Sequence, residues 1–171
     1  MTQQQDPPPA ASGDYIASLA DRLAADGCDT DWTQWEGSRV LVGRRSDKRA
    51  GWMWTRVHMF TIAAAVPEVG TENLSRFTSW AMHYAKEHKS GRMPVGSGNV
   101  ITVFPVLVGD SVLPEAKNWA REDMRFIDLS IAARPVAVDA RGAGATLYRG
   151  RPLHGRMFVK HTLAKADLYF P

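Results

Sequence analysis

Asn99-Val-Ile-Thr-Val-Phe-Pro-Val-Leu-Val-Gly-Asp110 is the stretch around which the rest of the chain is arranged. It is the most apolar run in the protein, β-branched at Val100, Ile101, Thr102, Val103, Val106 and Val108. Gly96-Ser97-Gly98 leads into it and Gly109-Asp110 closes it. The run falls short of the roughly 18 residues a membrane span needs, and its near-continuous apolar character is that of a strand covered on both faces. Pro105 conflicts with a fully interior place. It has no N–H to give a ladder, so the strand is expected to bulge there or to lie at an edge in its second half.

Working outward, Pro105-Val-Leu-Val-Gly-Asp110 recurs in outline as Pro135-Val-Ala-Val-Asp139. The helix predicted between them, Pro114 to about Met124, has proline suited to its first turn and Ala116, Trp119 and Ala120 turned inward. Two strands joined by a right-handed helical crossover run parallel, which brings Asp110 and Asp139 out at one edge of the sheet. Ligands of open α/β sheets sit at that edge. The plainer reading of both aspartates is as turn residues at strand ends.

The remaining segments form layers around this pair. Residues 1–13 read as a disordered tail, and residues 14–171 as a single domain. Asp14 is a good N-cap for a helix striped by Ile16, Leu19, Ala20 and Leu23, with Gly27 past its end. Cys28 to Gly37 is aromatic and polar. Arg39–Arg45 reads as a short strand, 46–51 as a charged turn, and Trp52–Val66 as a longer strand, the pair forming an antiparallel hairpin. A period of two puts Trp52, Trp54, Arg56, His58, Phe60 and Ile62 on one face. Thr71 is placed to cap a helix that carries Leu74, Phe77, Ala81, Tyr84 and His88 and ends at Gly91. Arg125–Ile131 reads as a strand, 134–139 and 145–149 as a hairpin about a Gly-bearing loop, and about 155–169 as the last helix. The predicted order is α-β-β-α-β-α-β-β-β-α. It belongs to the α/β class (α+β is the alternative), with a mixed sheet of about five or six strands between four helices.

At 171 residues the chain suffices for one domain with a real core, and its composition is that of an ordinary globular protein. The N-terminus carries neither a basic nor an apolar signal region, and Cys28 stands alone, so the expected compartment is the cytoplasm, with no membrane contact. The net charge of +3 is slight, but its distribution is uneven. Arg39, Arg44, Arg45, Lys48, Arg49 and Arg56 crowd one segment against Asp47 alone. A cluster of one sign concentrates anions, although a solvated strand end is the commoner meaning of such a run.

Motifs exclude more than they assign. No histidine pair has the His-x-x-x-His spacing and no Cys-x-x-Cys occurs, so no structural zinc site is expected. The Val95-Gly-Ser-Gly-Asn-Val stretch sits between helix and strand, the reverse of a phosphate-binding order, so no nucleotide fingerprint and no cofactor follow from it. Gly96-Ser97-Gly98 precedes a strand where a nucleophile elbow would follow one.

Three readings remain. The first is an anionic ligand, a nucleotide or nucleic-acid phosphate, held by Arg44, Arg45, Lys48, Arg49 and Arg56 with Trp52 or Trp54 as stacking faces and His58 behind. The second is a non-catalytic assembly subunit using a Trp- and Met-rich surface for a protein partner or self-association. The third is a metal-dependent hydrolase or nuclease built on Asp110 and Asp139, assisted by Asp47 or a lysine, with His58 as a further catalytic candidate.

Overall fold

The computed structural model describes residues 10–89, 98–142, 144–152 and 156–171. The tail reading for residues 1–9, the helix end at Gly91 and most of the Gly-Ser-Gly loop lie outside them. The chain folds as mixed α/β, with an eight-stranded mixed sheet among the described residues. Its strands are β1 (Asp29–Trp35), β2 (Ser38–Lys48), β3 (Arg56–Val69), β4 (Asn99–Val112), β5 (Arg125–Ile127), β6 (Ile131–Ala133), β7 (Val136–Asp139) and β8 (Gly144–Thr146). The helices are α1 (Ala10–Ala25), α2 (Thr71–His88), α3 (Pro114–Glu122) and α4 (Arg156–Tyr169). Among the described residues no helix is long and apolar enough to cross a membrane.

β4 is the central strand the sequence predicts. It lies parallel to β3 along nearly its whole length, from Arg56↔Asn99 to Val69↔Val112. On its other side it pairs in parallel with β6 and then with β7. Gly109 stands opposite Asp139, so the two Pro-Val-x-Val segments are the parallel neighbours their likeness implies. The conflict at Pro105 is resolved by a break in the neighbouring strand. Pairing lapses between Val103↔Ala133 and Val106↔Val136, so at the level of the proline no ladder bond is asked of it. Arg134 fills the break. Its N–H bonds the Val103 carbonyl, and its fully buried guanidinium donates to the Tyr148 and Gly150 carbonyls at 2.6 and 3.2 Å, tying the segment after β8 to the sheet.

The sheet is apolar on both faces. Val40, Val42, Phe60 and Ile62 pack with Leu74, Phe77 and Ala81 of α2 and with Ala116 and Ala120 of α3. Leu41, Met59, Ala63, Phe104, Val106 and Val108 pack against Ile16, Leu19 and Leu23 of α1 and Ala166, Tyr169 and Phe170 near the C-terminus. α1 begins at Ala10, earlier than the Asp14 cap, because Ser12 is buried and donates to Asp110 Oδ1 at 3.3 Å. α2 is capped by Gly70, whose N–H donates to Asn73 Oδ1 at 2.9 Å, so Thr71 sits one place inside the helix. β1 is an edge strand that pairs antiparallel with β2 through a tight turn at Glu36-Gly37, both at positive φ.

α4 is held to the second face by ionised groups. His161, Lys165 and Tyr169 recur every four residues on one side of it. Lys165 Nζ donates to both oxygens of Asp26 at 2.7 and 2.6 Å, and the Tyr169 hydroxyl to Oδ2 at 2.5 Å. Arg45 donates to the Asp26 carboxylate and, as a fork at 2.8 and 2.7 Å, to Asp47. His161 Nε2 meets Asp47 Oδ2 at 2.8 Å, and its ring lies edge-on to buried Trp52. Burial works against both carboxylates, but the hydrogen bonds and cations of Lys165, Tyr169 and Arg45 at Asp26, and of Arg45 and His161 at Asp47, hold them below their ordinary range. Burial lowers His161 despite the Asp47 carboxylate, with Arg49 and Lys165 adding to the effect.

All three shifts have the same sign for stability. A depressed carboxyl contributes above its unfolded value of 3.8 and loses that contribution as pH falls through its folded value. A depressed imidazole contributes above 6.5 and loses it as pH falls below that. The melting temperature is therefore expected to decline below about pH 6.5 and more steeply below about 4. Asp26→Asn should cost about 1.5–3 kcal/mol at pH 7 and flatten the acid limb, read from denaturant unfolding across pH.

Gly43 provides a packing test. A Cβ there would lie 2.8 Å from Leu23 Cδ1, and Leu23 is fully buried. Gly43→Ala should destabilise by about 1–3 kcal/mol in urea unfolding, and combining it with Leu23→Ala should cost less than the sum of the two.

Candidate functional site

β2 does not stop at Arg45. It runs on to Lys48, pairing Arg44↔Phe60, Ser46↔His58 and Lys48↔Arg56 with β3. Alternation then sends Arg44, Ser46 and Lys48 to the α2 face and Arg45 and Asp47 to the α4 face. The basic segment is thus split between two environments.

On the α4 face Arg45 is committed to Asp26 and Asp47, so it is a structural cation. Trp52 does not share a strand face with Trp54. Residues 50–52 form a 3-10 turn, followed by Met53 and Trp54 at φ 51° and 66°, and β3 begins only at Arg56. The turn seals Trp52 at 5% exposure against Phe158 and His161, while Trp54 stands 73% exposed with Lys48 Nζ 5.2 Å from its ring centre. Arg49 lies over Trp52 at 5.3 Å, outside the pocket described next.

On the α2 face a pocket of about 280 Å³ opens, lined by Asp29, Arg44, Arg45, Ser46, His58, Phe60 and His88. Among the described residues no carboxylate lies within 4 Å of the Arg44 guanidinium. Arg56, which is exposed, and Lys48 continue the same face beyond Ser46 and His58. Asp29 stands across the hairpin from Arg44 and places one acid on the rim.

His58 is 2% exposed and lines this pocket. Its Nδ1 lies 3.1 Å from Ser46 Oγ, and its Nε2 lies 3.0 Å from Oδ1 of Asn99, itself 8% exposed. An amide oxygen only accepts, so Nε2 carries the proton and Nδ1 presents its lone pair to the Ser46 hydroxyl. Burial lowers the imidazole below its ordinary value of 6.5, the Asn99 hydrogen bond partly restores it, and the charges of Lys89 and Arg56 lower it again. At neutral pH the ring is uncharged and can accept a proton. His88, at the end of α2, stacks on Tyr84 at 3.9 Å between ring centres and lines the pocket, so it is not the core residue that the helical stripe predicts.

Asp110 and Asp139 do emerge side by side at the carboxyl edge, but each is already engaged. Arg141 Nη2 donates to Asp110 Oδ2 at 2.7 Å, and the Arg141 backbone N–H donates to Asp139 Oδ1 at 3.0 Å. Asp47 lies at the opposite end of β4, so the three carboxylates do not meet. Among the described residues no three His, Cys, Asp or Glu side chains are grouped to hold a metal ion. Cys28 hydrogen-bonds the Tyr169 hydroxyl at 3.4 Å, and burial pushes its thiol up, away from nucleophilic use.

Sequence reasoning missed Asp29, Ser46 and His88, which line the pocket, and Asn99, which bonds His58. Carrying the alternation of β2 three residues past Arg45 would have put Ser46 beside Arg44. The nearness of Asn99 to His58 depends on the β3–β4 register, which no local pattern reveals. Comparison with protein-family models, with curated proteins and with solved structures gives no match, and the reading of this pocket rests on its own geometry.

Proposed function

We propose that the chain binds a small organic anion, bearing a carboxylate or a single phosphate, in the pocket between β2, β3 and the end of α2. The observation that carries this is Arg44, which lines the pocket with no described carboxylate within ion-pair distance. A planar guanidinium with free N–H donors is suited to a planar anionic group. Lys48 and Arg56 on the same face add to the attraction, and the Ser46 hydroxyl supplies a further polar contact. Asp29 at the rim repels added negative charge and favours a monoanion over a polyphosphate or a nucleic-acid backbone. With Trp52 sealed, Trp54 is the stacking face of the pair left to a base. The lone thiol, Cys28, suits a reducing, cytoplasmic setting.

Arg44 and Arg45 supply the test, being neighbours in sequence with opposite roles. Isothermal titration with glutarate, inorganic phosphate and adenosine monophosphate should show binding by at least one of them. Arg44→Ala should weaken it about 10- to 100-fold with little change in melting temperature, the value of a charge-assisted contact. Arg45→Ala should instead lower the melting temperature, because that guanidinium is paired with Asp26 and Asp47. Affinity that is indifferent to Arg44, or absent for every anion tried, rejects the reading.

One observation favours the second reading, a protein partner. Met53 and Trp54 project from the β2–β3 turn at 79% and 73% exposure, the largest apolar side chains left open beside the basic face. If this tip docks on another chain, Trp54→Ser should lower the mass seen by light scattering without altering anion binding.

A further inference from the structure

We propose that the pocket is a catalytic one, in which Ser46 is the nucleophile and His58 the general base of a hydrolase acting on small carboxylate-bearing esters, with Asn99 positioning the imidazole. This rests on the anion-binding reading above, since Arg44 holds the carboxylate that orients the substrate.

The groups needed for proton transfer stand in sequence. Ser46 is exposed at the pocket, its Oγ 3.1 Å from His58 Nδ1, and Asn99 Oδ1 accepts a hydrogen bond from Nε2–H at 3.0 Å. Fixing the proton on Nε2 leaves Nδ1 as the acceptor, which is the logic of every serine–histidine relay whichever ring nitrogen serves. The nitrogens are rigidly held. Ser46 and His58 are directly opposed across an antiparallel ladder, and Asn99 begins the strand parallel to β3. Arg44, two residues before Ser46, projects from the same face of the same strand and lines the same pocket.

An ester whose acid part carries a second carboxylate fits this layout, the carboxylate on Arg44 and the ester carbonyl at Ser46. Ser46 Oγ bonds to the acyl carbon as its proton passes to His58 Nδ1. The bond from that carbon to the alkoxy oxygen breaks, and the departing alcohol takes the proton from Nδ1. Water then attacks acyl-Ser46 and gives a proton to Nδ1. The bond to Oγ breaks, the acid leaves, and the proton returns to Oγ. Ester and water become acid and alcohol, with the side chains restored. Phosphoryl transfer suits the site less well. It needs several cations around three equatorial oxygens, whereas Asp29 faces Arg44 here and the Arg45 guanidinium is spent on Asp26 and Asp47.

The mono-p-nitrophenyl ester of glutaric acid is the probe, with neutral p-nitrophenyl butyrate as comparator. The folded full-length chain should release nitrophenolate from the glutarate ester, and intact-mass and peptide mapping should place a glutaryl group on Ser46. Ser46→Ala should lose both while keeping its melting temperature. His58→Gln should slow the reaction at least 100-fold, the usual share of a general base. Asn99→Leu should slow it at least tenfold and move the acid limb of the pH–rate profile, and Asn99→Asp should restore most of the rate. Arg44→Ala should erase the preference for the glutarate ester over the butyrate ester. A glutaryl group found elsewhere, or equal rates with and without Ser46, overturns the catalytic assignment. So does wild-type protein that binds glutarate and never acylates, although the anion-binding reading then survives. Absence of both glutarate binding and acylation removes the two together.

Discussion

The parallel pairing of β3 with β4 is the constraint on which the rest depends. It extends from Arg56↔Asn99 to Val69↔Val112 without a shift of register. A one-residue slip would exchange the two faces of β4 and unpack both cores at once, because Ile101, Val103 and Leu107 serve one and Phe104, Val106 and Val108 the other. The same register sets the distance between His58 and Asn99. Both are buried polar residues at the start of their strands, and each finds a partner in the other. The geometry of the pocket is therefore maintained by the burial that maintains the fold.

Strand alternation gives adjacent arginines opposite tasks. Arg45 enters a compartment of Asp26, Asp47, Lys165 and Tyr169, where it donates four hydrogen bonds to Asp26 and Asp47 and its charge is cancelled. Arg44 enters the pocket, where no described carboxylate lies within 4 Å of its guanidinium. Nothing in Arg44-Arg45 distinguishes them. The distinction comes from what each face meets: on one, Asp26 just after α1 and Lys165 of α4 stand with Asp47, whereas on the other α2 brings apolar side chains and ends at His88.

The large features of the fold could be read from the residues because they rest on burial. A run such as Val100 to Val108 has few places to go but the middle of a sheet, and the likeness of 105–110 to 135–139 marks parallel neighbours. β1 was hidden because Asp29-Thr-Asp-Trp-Thr-Gln-Trp35 buries only Trp35, so an edge strand looks like a polar loop. The Pro105 conflict was visible, but its answer lies in the strand next to it, beyond the reach of local pattern. For the candidate site the legible part was charge: the basic segment and His58 were evident. The partition of that segment between faces was obscured by Trp52 and Trp54, whose alternate spacing imitates a strand but belongs to a turn with two residues at positive φ.

The buried polar groups of this protein divide by whether they are closed. Arg134 is a cation wholly inside. Both of its terminal nitrogens donate to carbonyls, although its buried Nε has no partner among the described residues, and it functions as a brace in the gap between β6 and β7. Asp26 and Asp47 are enclosed by three cationic or imidazole partners and a phenol. His58 differs in kind. One nitrogen is fixed by buried Asn99, and the other faces an exposed hydroxyl at the mouth of a cavity. A histidine retained for packing alone gains nothing from that openness, since burial lowers its basicity and an apolar ring of like size would fill the space without the desolvation cost. An imidazole kept neutral, oriented from behind and open to a nucleophile in front is the arrangement that proton transfer requires.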